Sequence, residues 1–226
     1  MGNIEGKIKE FALSKGADLV GIASVSRFGG APDGHKPENI LPDAKTVIVC
    51  AKRFPNSVVM EGSPTSYQNM MDILTNQLDL IAYEVAIYIE QQGGVAIPVP
   101  SEEPYYDWNP DEMRGRGDLS HRHAAQAAGL GKLGRSSLLI TPEFGDRVHL
   151  VSVVTNLNLE PDPLIEREPC PPKCTLCIES CPVKAITSER QVNQKLCRSY
   201  MFLKLPKGRI IESCRECRKA CPLGIK

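Results

Sequence analysis

Cys170-Pro-Pro-Lys-Cys174-Thr-Leu-Cys177-Ile-Glu-Ser-Cys181-Pro182, then Cys197, then Cys214-Arg-Glu-Cys217-Arg-Lys-Ala-Cys221-Pro222: these residues decide how the rest of the chain is read. Eight of the nine cysteines in 226 residues fall inside this span. Such density suits either a disulfide scaffold or a metal site, and the compartment decides between them. The N-terminus, MGNIEGKIKEFALSKGADLVGIA, has no continuous apolar run of the secretory kind and reads as an amphipathic helix followed by a strand. No apolar run reaches the roughly 18 residues of a membrane span. A cytoplasmic, reducing location is expected, and clustered thiols there point to metal.

Both runs end in Cys-x2-Cys-x3-Cys-Pro. In bacterial ferredoxin segments with that ending, three close thiolates wrap one corner of an iron–sulfur cubane and the fourth cysteine crosses to the neighbouring cluster. Applied here, the rule assigns Cys170, Cys174, Cys177 and Cys221 to one 4Fe-4S cluster, and Cys181, Cys197, Cys214 and Cys217 to a second. The loops are looser than usual: the first run opens with Cys-x3-Cys, and Cys197 stands far ahead of Cys214. The competing reading gives the same residues to two tetrahedral zinc sites of four thiolates each, although zinc ribbons do not require the repeated Cys-x3-Cys-Pro ending. Residues 161–226 are too few to hold together by apolar burial alone, so bound metal would supply their order and its removal would unfold them. Two linked clusters would relay single electrons toward another cofactor.

Residues 1–160 carry a different signal, with 42% hydrophobic and 24% charged residues in the whole chain giving a globular balance. Ile4, Ile8, Phe11 and Ala12 recur at helical spacing up to Gly16. Asp18 to Val25 and Ala44 to Arg53 read as strands, and the isolated Cys50 in the second reads as a small core residue. Met70, Met71, Leu74, Leu78, Ile81, Val85 and Ile89 mark one long helix from Pro64 to Gln92, stopped by Gly93-Gly94. After a strand at Val95 to Val99, Pro104, Tyr105, Tyr106, Trp108 and Pro110 make an aromatic loop that either covers a pocket or simply packs. A helix from His121 to Leu130 and strands at Leu138 to Thr141 and Arg147 to Thr155 complete the order α-β-β-α-β-α-β-β. This is a layered α/β or α+β domain with some strands antiparallel. Glu160-Pro161-Asp162-Pro163 reads as a linker into the cysteine-rich domain, residues 161–226.

The segment SHRHAAQAAGLGKLGRSSLLITPEFG, residues 120–145, precedes the paired cysteine runs. With them it resembles the epoxyqueuosine reductase family and its relatives among the reductive dehalogenases, over most of the chain. The most specific parts are Ala-Gly-Leu-Gly-x-x-Gly, the Leu-Leu-Ile-x-x-Glu-x-Gly turn, and the order of the two modules. The resemblance implies a nitroreductase-like domain that binds cobalamin, whose cobalt the clusters would reduce, with FMN as the alternative occupant. It places Gly129, Leu130, Gly131, Gly134, Arg135, Ser136 and Ser137 at the cofactor. A missing β-carbon lets backbone approach a ring or phosphate tail, but Gly129 and Gly131 could equally cap the helix and Gly134 turn the chain. Three departures stand out. The position aligned with the family's proton-donating acid is Gly115, with Asp118 off register; Lys132 replaces the usual Trp; and the helical-repeat region of the tRNA-acting members is not in this sequence. A small organic substrate is expected in place of tRNA, as in the short, stand-alone proteins of anaerobes that the chain resembles.

No spacing singles out a proton donor; the candidates are Tyr105, Tyr106, Asp118 and His121, with Arg122 and His123 beside the last. Lys and Arg equal Asp and Glu at 27 each, which gives no reason to expect nucleic acid or an anionic membrane as partner. Lys204, Lys207, Arg209, Arg215, Arg218 and Lys219 would steer an acidic redox partner if the chain were an electron-transfer protein with an empty pocket. A corrinoid-dependent reductase leads, with a flavin-dependent reductase and an electron carrier as alternatives.

Overall fold

In the computed structural model, which describes residues 3–187 and 190–224, helices cover both faces of one antiparallel sheet. α1 (Ile4–Ser14) opens on Asn3, whose side-chain oxygen accepts the Gly6 N–H at 3.0 Å. β1 (Leu19–Ser24), α2 (Pro37–Ile40), β2 (Thr46–Arg53) and α3 (Asn56–Glu61) follow. α4 (Pro64–Gln91) begins with the Ser63 hydroxyl capping the Ser66 N–H and a proline in its first turn. Gly93, at φ +83°, then turns the chain out of the helix. Next come β3 (Ala96–Val99), β4 (Asp107–Asn109), β5 (Arg114–Arg116), α5 (His121–Ala127), β6 (Lys132–Leu133), β7 (Leu139–Ile140) and β8 (Val148–Thr155). The tail holds α6 (Leu176–Glu179), α7 (Gln194–Met201), β9 (Phe202–Lys204), β10 (Ile210–Glu212) and α8 (Glu216–Lys219).

The main sheet runs β1-β2-β8-β3, every pair antiparallel, with Ile48 opposite Val153 and Val49 opposite Ser152. β2 is buried from both sides. Val47, Val49 and Ala51 pack with Ala124, Ala125 and Ala128, while Ile48 and Cys50 pack with α1 and α4 through Ile8, Leu78, Ile81 and Val85. A strand covered on both faces needs no polar alternation, which explains its unbroken apolar run. Each fully buried aliphatic side chain here contributes about 1.5–3 kcal/mol.

Several expectations change in detail. The helix at His121 ends at Ala127, because Gly129, at φ +72°, donates to Gln126 O, and Leu130 N–H reaches back to Ala125 O. That pair of bonds is a Schellman ending. Leu139 and Ile140 pair with β6 in a separate ribbon and do not join the main sheet. The aromatic loop folds into the β4–β5 hairpin. The expected linker is pinned along β1: Asp162 exchanges backbone and side-chain hydrogen bonds with Ile22, its carboxylate also pairs with Lys9, and Arg27 donates to its carbonyl oxygen. In the tail, apolar burial is thin, centred on Cys177, Cys181, Ala185 and Ile186. No helix among the described residues is long and apolar enough to cross a membrane.

Candidate functional site

The tail doubles back so that its two cysteine runs meet. Cys170, Cys174 and Cys177 line one small cavity together with Cys221, closed by Arg135, Ser136, Ile140 and Leu223. The electrostatics carry the same grouping: burial raises the Cys177 thiol first, then repulsion from Cys170 and Cys174. Burial pushes Cys221 up to about 11, with Asp146 and Cys170 adding to it. The other four form a second neighbourhood. Cys197 is raised by burial and then by Cys214 and Cys181; Cys217 is pushed up to about 12 by burial, against the pull of Arg218, with Cys197 and Cys214 repelling. Among the described residues, no three His, Cys, Asp or Glu side chains converge closely enough for a single metal ion.

The glycines of the loop expected at an organic cofactor pack against the chain itself. A β-carbon on Gly129 would collide with the Pro163 carbonyl oxygen, and one on Gly131 with that of Ile140. Leu130 is buried in the core beside α5. At Gly134 a β-carbon would lie 2.9 Å from Ile140 and 3.3 Å from Cys170 Sγ, so the missing side chain lets the loop close over that thiol. Arg135 then donates its N–H to Cys170 Sγ at 3.4 Å, and Ser136 lines the thiol cavity. Ser137, at φ +63°, accepts from Arg122 Nη1 at 2.8 Å on its hydroxyl. The glycines therefore serve chain-on-chain approach, and residues 134–136 seat the first cysteine set.

A second seat lies at residues 145–147. Gly145 and Gly224 leave no space for a β-carbon where the end of the tail crosses this turn. Arg147 and Asp146 are both buried and pair at 2.7 Å; Arg147 also donates to Arg218 O, and Arg218 donates back to Asp146 O. Arg215 donates to Val59 O at 2.8 Å and stacks on Tyr67, and Arg209 pairs with Asp72 at 3.1 Å. Of the six basic residues expected to steer a partner, Arg215 and Arg218 are thus bonded inside the chain, because guanidinium groups taken out of solvent must find acceptors, whereas Arg209 makes its pair at the surface. Lys204 and Lys207 remain exposed.

Two cavities flank α5. The larger, about 430 Å³, is lined by Arg27, Phe28, His35, His123, Gln126 and Lys132 among others. The smaller, about 250 Å³, is lined by Ser101, His121, Arg122, Asp146, His149 and Arg218 among others. They meet at Ser120, which lines both. Arg218, which lines the smaller cavity, follows Cys217 directly in sequence.

The four candidate proton donors are not brought together. His121 Nε2 donates to Pro100 O at 2.8 Å, which leaves Nδ1 to accept from the Ser152 hydroxyl at 2.8 Å; burial lowers its pKa, and the ring clips α5 to β8. Tyr105 accepts from Arg198 Nη2 at 3.0 Å, and Arg198 lies 5.0 Å from the ring centroids of both Tyr105 and Trp108. Tyr106 is 72% exposed, edge-on to His35. Asp118 is half-buried beside Leu119. The sequence reading passed over Glu102 and His149. Burial pushes Glu102 up to about 7, with Glu212 adding and a Thr75 hydrogen bond opposing; burial pushes His149 down to about 3, with Arg218 and His121 adding. A lone histidine inside the apolar run of β8 was the one available signal.

No family model matches the chain. An epoxyqueuosine reductase of Bacillus anthracis is 36% identical over 243 residues, covering 94% of this chain and 62% of that protein. The epoxyqueuosine reductase of Bacillus subtilis (strain 168) is 26% identical over 259 residues, covering 95% and 62%. The tetrachloroethene reductive dehalogenase of Dehalobacter restrictus is 30% identical over 178 residues, covering 74% of this chain and 28% of that one. The chain thus spans about three fifths of the length of the two epoxyqueuosine reductases. Among solved structures, epoxyqueuosine reductase from Streptococcus thermophilus superposes with a TM-score of 0.69 at 20% identity, over 100% of this chain and 67% of that one. A reductive dehalogenase whose structure is described as suggesting a mechanism for B12-dependent dehalogenation gives 0.67 at 20% identity, over 97% and 31%. The homologues of this chain are epoxyqueuosine reductases and reductive dehalogenases, and structures of both share its mixed α/β fold.

Proposed function

We propose that this homologue of two reductase families is itself an iron–sulfur reductase acting through a cobalamin-type cofactor on a small organic substrate. Two 4Fe-4S clusters would be held by Cys170, Cys174, Cys177 and Cys221, and by Cys181, Cys197, Cys214 and Cys217. The observation that carries the reading is the cavity shared by Cys221 and the first cysteine run, fifty residues of chain apart at its extremes. Thiols standing around a space suit a cubane, whereas zinc would draw four of them to one point.

When bound, the clusters supply single electrons and the corrinoid supplies a cobalt centre reactive toward the substrate. The chain's own residues set the conditions. The N–H groups of Arg135 and Ala185 donate to Cys170 and Cys181, at 3.4 and 3.2 Å, and such bonds tune cluster potential. Arg27, His123, Gln126 and Lys132 give the larger cavity groups suited to the amides and phosphate of a corrinoid, and Phe28 and Leu119 give it apolar wall. Residues 1–160 would form the cofactor domain and residues 161–226 the ferredoxin-like one.

Anaerobic reconstitution of the full chain with iron and sulfide, in the presence of a corrinoid or FMN, tests this. About eight irons per chain and a bound corrinoid are expected. FMN taken up in its place converts the reading to a flavin reductase; eight irons with neither cofactor make the chain an electron carrier. A colourless, iron-free product overturns the redox assignment.

A further inference from the structure

Thr75 of α4 stands between two acid–base groups from different elements. Its hydroxyl donates to Glu102 Oε2 at 3.1 Å and lies 3.2 Å from His149 Nε2 on β8. Glu102, in the loop after β3, keeps part of its surface in solvent, and His149 lines the smaller cavity beside α5. Apolar packing requires no carboxyl, hydroxyl and imidazole in line, and burying such groups is costly unless they bond one another.

The geometry points to a proton-conducting chain, Glu102 to Thr75 to His149, that brings protons from solvent to the smaller cavity, which meets the larger one, proposed for the cofactor, at Ser120. It rests on the reductase reading above for what consumes the proton, though not for the connection itself. The same three groups allow two hydrogen-bond directions. With Glu102 ionised, His149 Nε2–H donates to Thr75 and Thr75 donates to the carboxylate. With Glu102 protonated, its O–H donates to Thr75, and Thr75 donates to a bare Nε2 while the ring proton sits on Nδ1.

One transfer balances as follows. The Glu102 proton moves to Thr75 Oγ1, the Thr75 proton moves to His149 Nε2, and the Nδ1 proton leaves for the organic substrate. That substrate has taken up two electrons delivered through the clusters and carries negative charge at its reacting atom. Uptake of a proton from water by Glu102, and exchange with water in the smaller cavity that removes the proton from His149 Nε2 and supplies one to Nδ1, reset the chain. No imidazolium is required, in keeping with a ring that burial, Arg218 and His121 hold neutral. Around Glu102, burial and the charges of Glu212, Glu103 and Asp72 favour the protonated form while Thr75 opposes it, so both forms are populated near neutral pH.

The full chain, purified anaerobically with oxidised clusters and labelled with 15N-histidine, provides the test. The Glu102 carboxyl is followed by its infrared band, lost in Glu102→Gln; the His149 nitrogens are assigned by their loss in His149→Asn. As Glu102 gains its proton, His149 Nε2 is expected to move from a pyrrole-type to a pyridine-type resonance. Thr75→Val should sever that correlation while Glu102 still titrates, and Thr75→Ser should restore it. A His149 tautomer that stays constant through the titration, or still follows it in Thr75→Val, overturns the proposal. Reduction of a halogenated phenol with reduced methyl viologen as donor adds the functional arm. It should slow about tenfold or more in Thr75→Val at unchanged iron content and recover in Thr75→Ser; equal rates overturn the proton-supply role. Failure of the unaltered chain to reduce the phenol counts against the reductase reading, and the resonance experiment then decides the connection alone.

Discussion

Cys50 and Cys217 are both pushed up to about 12 by burial, yet their surroundings give them different work. Cys50 lies in the core with Ile48 and Leu78, whereas Cys217 lies among other thiols. Cys50→Ala is expected to leave iron at about eight per chain, while Cys177→Ala should lose about half, by iron analysis of reconstituted protein. Glu102 and His149 predict opposite pH slopes. Glu102 holds its proton to about pH 7 folded but only to 4.5 unfolded, so the folded chain binds more protons between those values and stability falls as pH rises through them. The effect is at most about 3 kcal/mol. His149, neutral down to about pH 3 folded against 6.5 unfolded, costs stability as pH falls through that window. Melting curves of Glu102→Gln should therefore gain on the unaltered chain more at pH 8 than at pH 4.5, and His149→Gln should lose the acid-side slope. The meeting of Cys221 with Cys170, Cys174 and Cys177 was legible in sequence because both runs repeat one short spacing. Glu102, Thr75 and His149 were not, since their bonds join residues 27 and 74 positions apart.

At the scale of elements, legibility followed length. The α4 stripe from Leu74 to Ile89 repeats often enough to announce a buried helical face. Strands of two or three residues, such as β4, β5, β6 and β7, carry no period, and the pairing of β7 with β6 depends on the Gly131 approach to Ile140. Gly129 stops α5 and admits Pro163 against the helix end, so Gly129→Ala meets a positive φ and a filled space together. A loss of about 1–3 kcal/mol in urea unfolding is expected, larger than for Gly30→Ala, where nothing lies within 4 Å of the added carbon. Asp162→Ala, by contrast, should leave α5 intact and loosen residues 160–163 from β1, seen as faster amide exchange at Ile22.

Across the whole molecule, two modules differ in what holds them. The sandwich has apolar cores on both faces of its sheet, whereas the tail has a small cluster of its own and leans on Gly145, Asp146 and Arg147. Stripping iron from the reconstituted chain is expected to expose residues 165–224 to protease while a sandwich fragment of residues 1–160 survives; a fragment cut in both parts at equal rates would contradict this. The proposed dependence of the tail on metal also gives a use to the stack around Arg198. Trp108 is the single tryptophan of the chain, resting on a guanidinium one position after Cys197. Its fluorescence is thus a built-in optical gauge: light emitted by one indole would report, without any label, when air has broken the proposed iron centre next door.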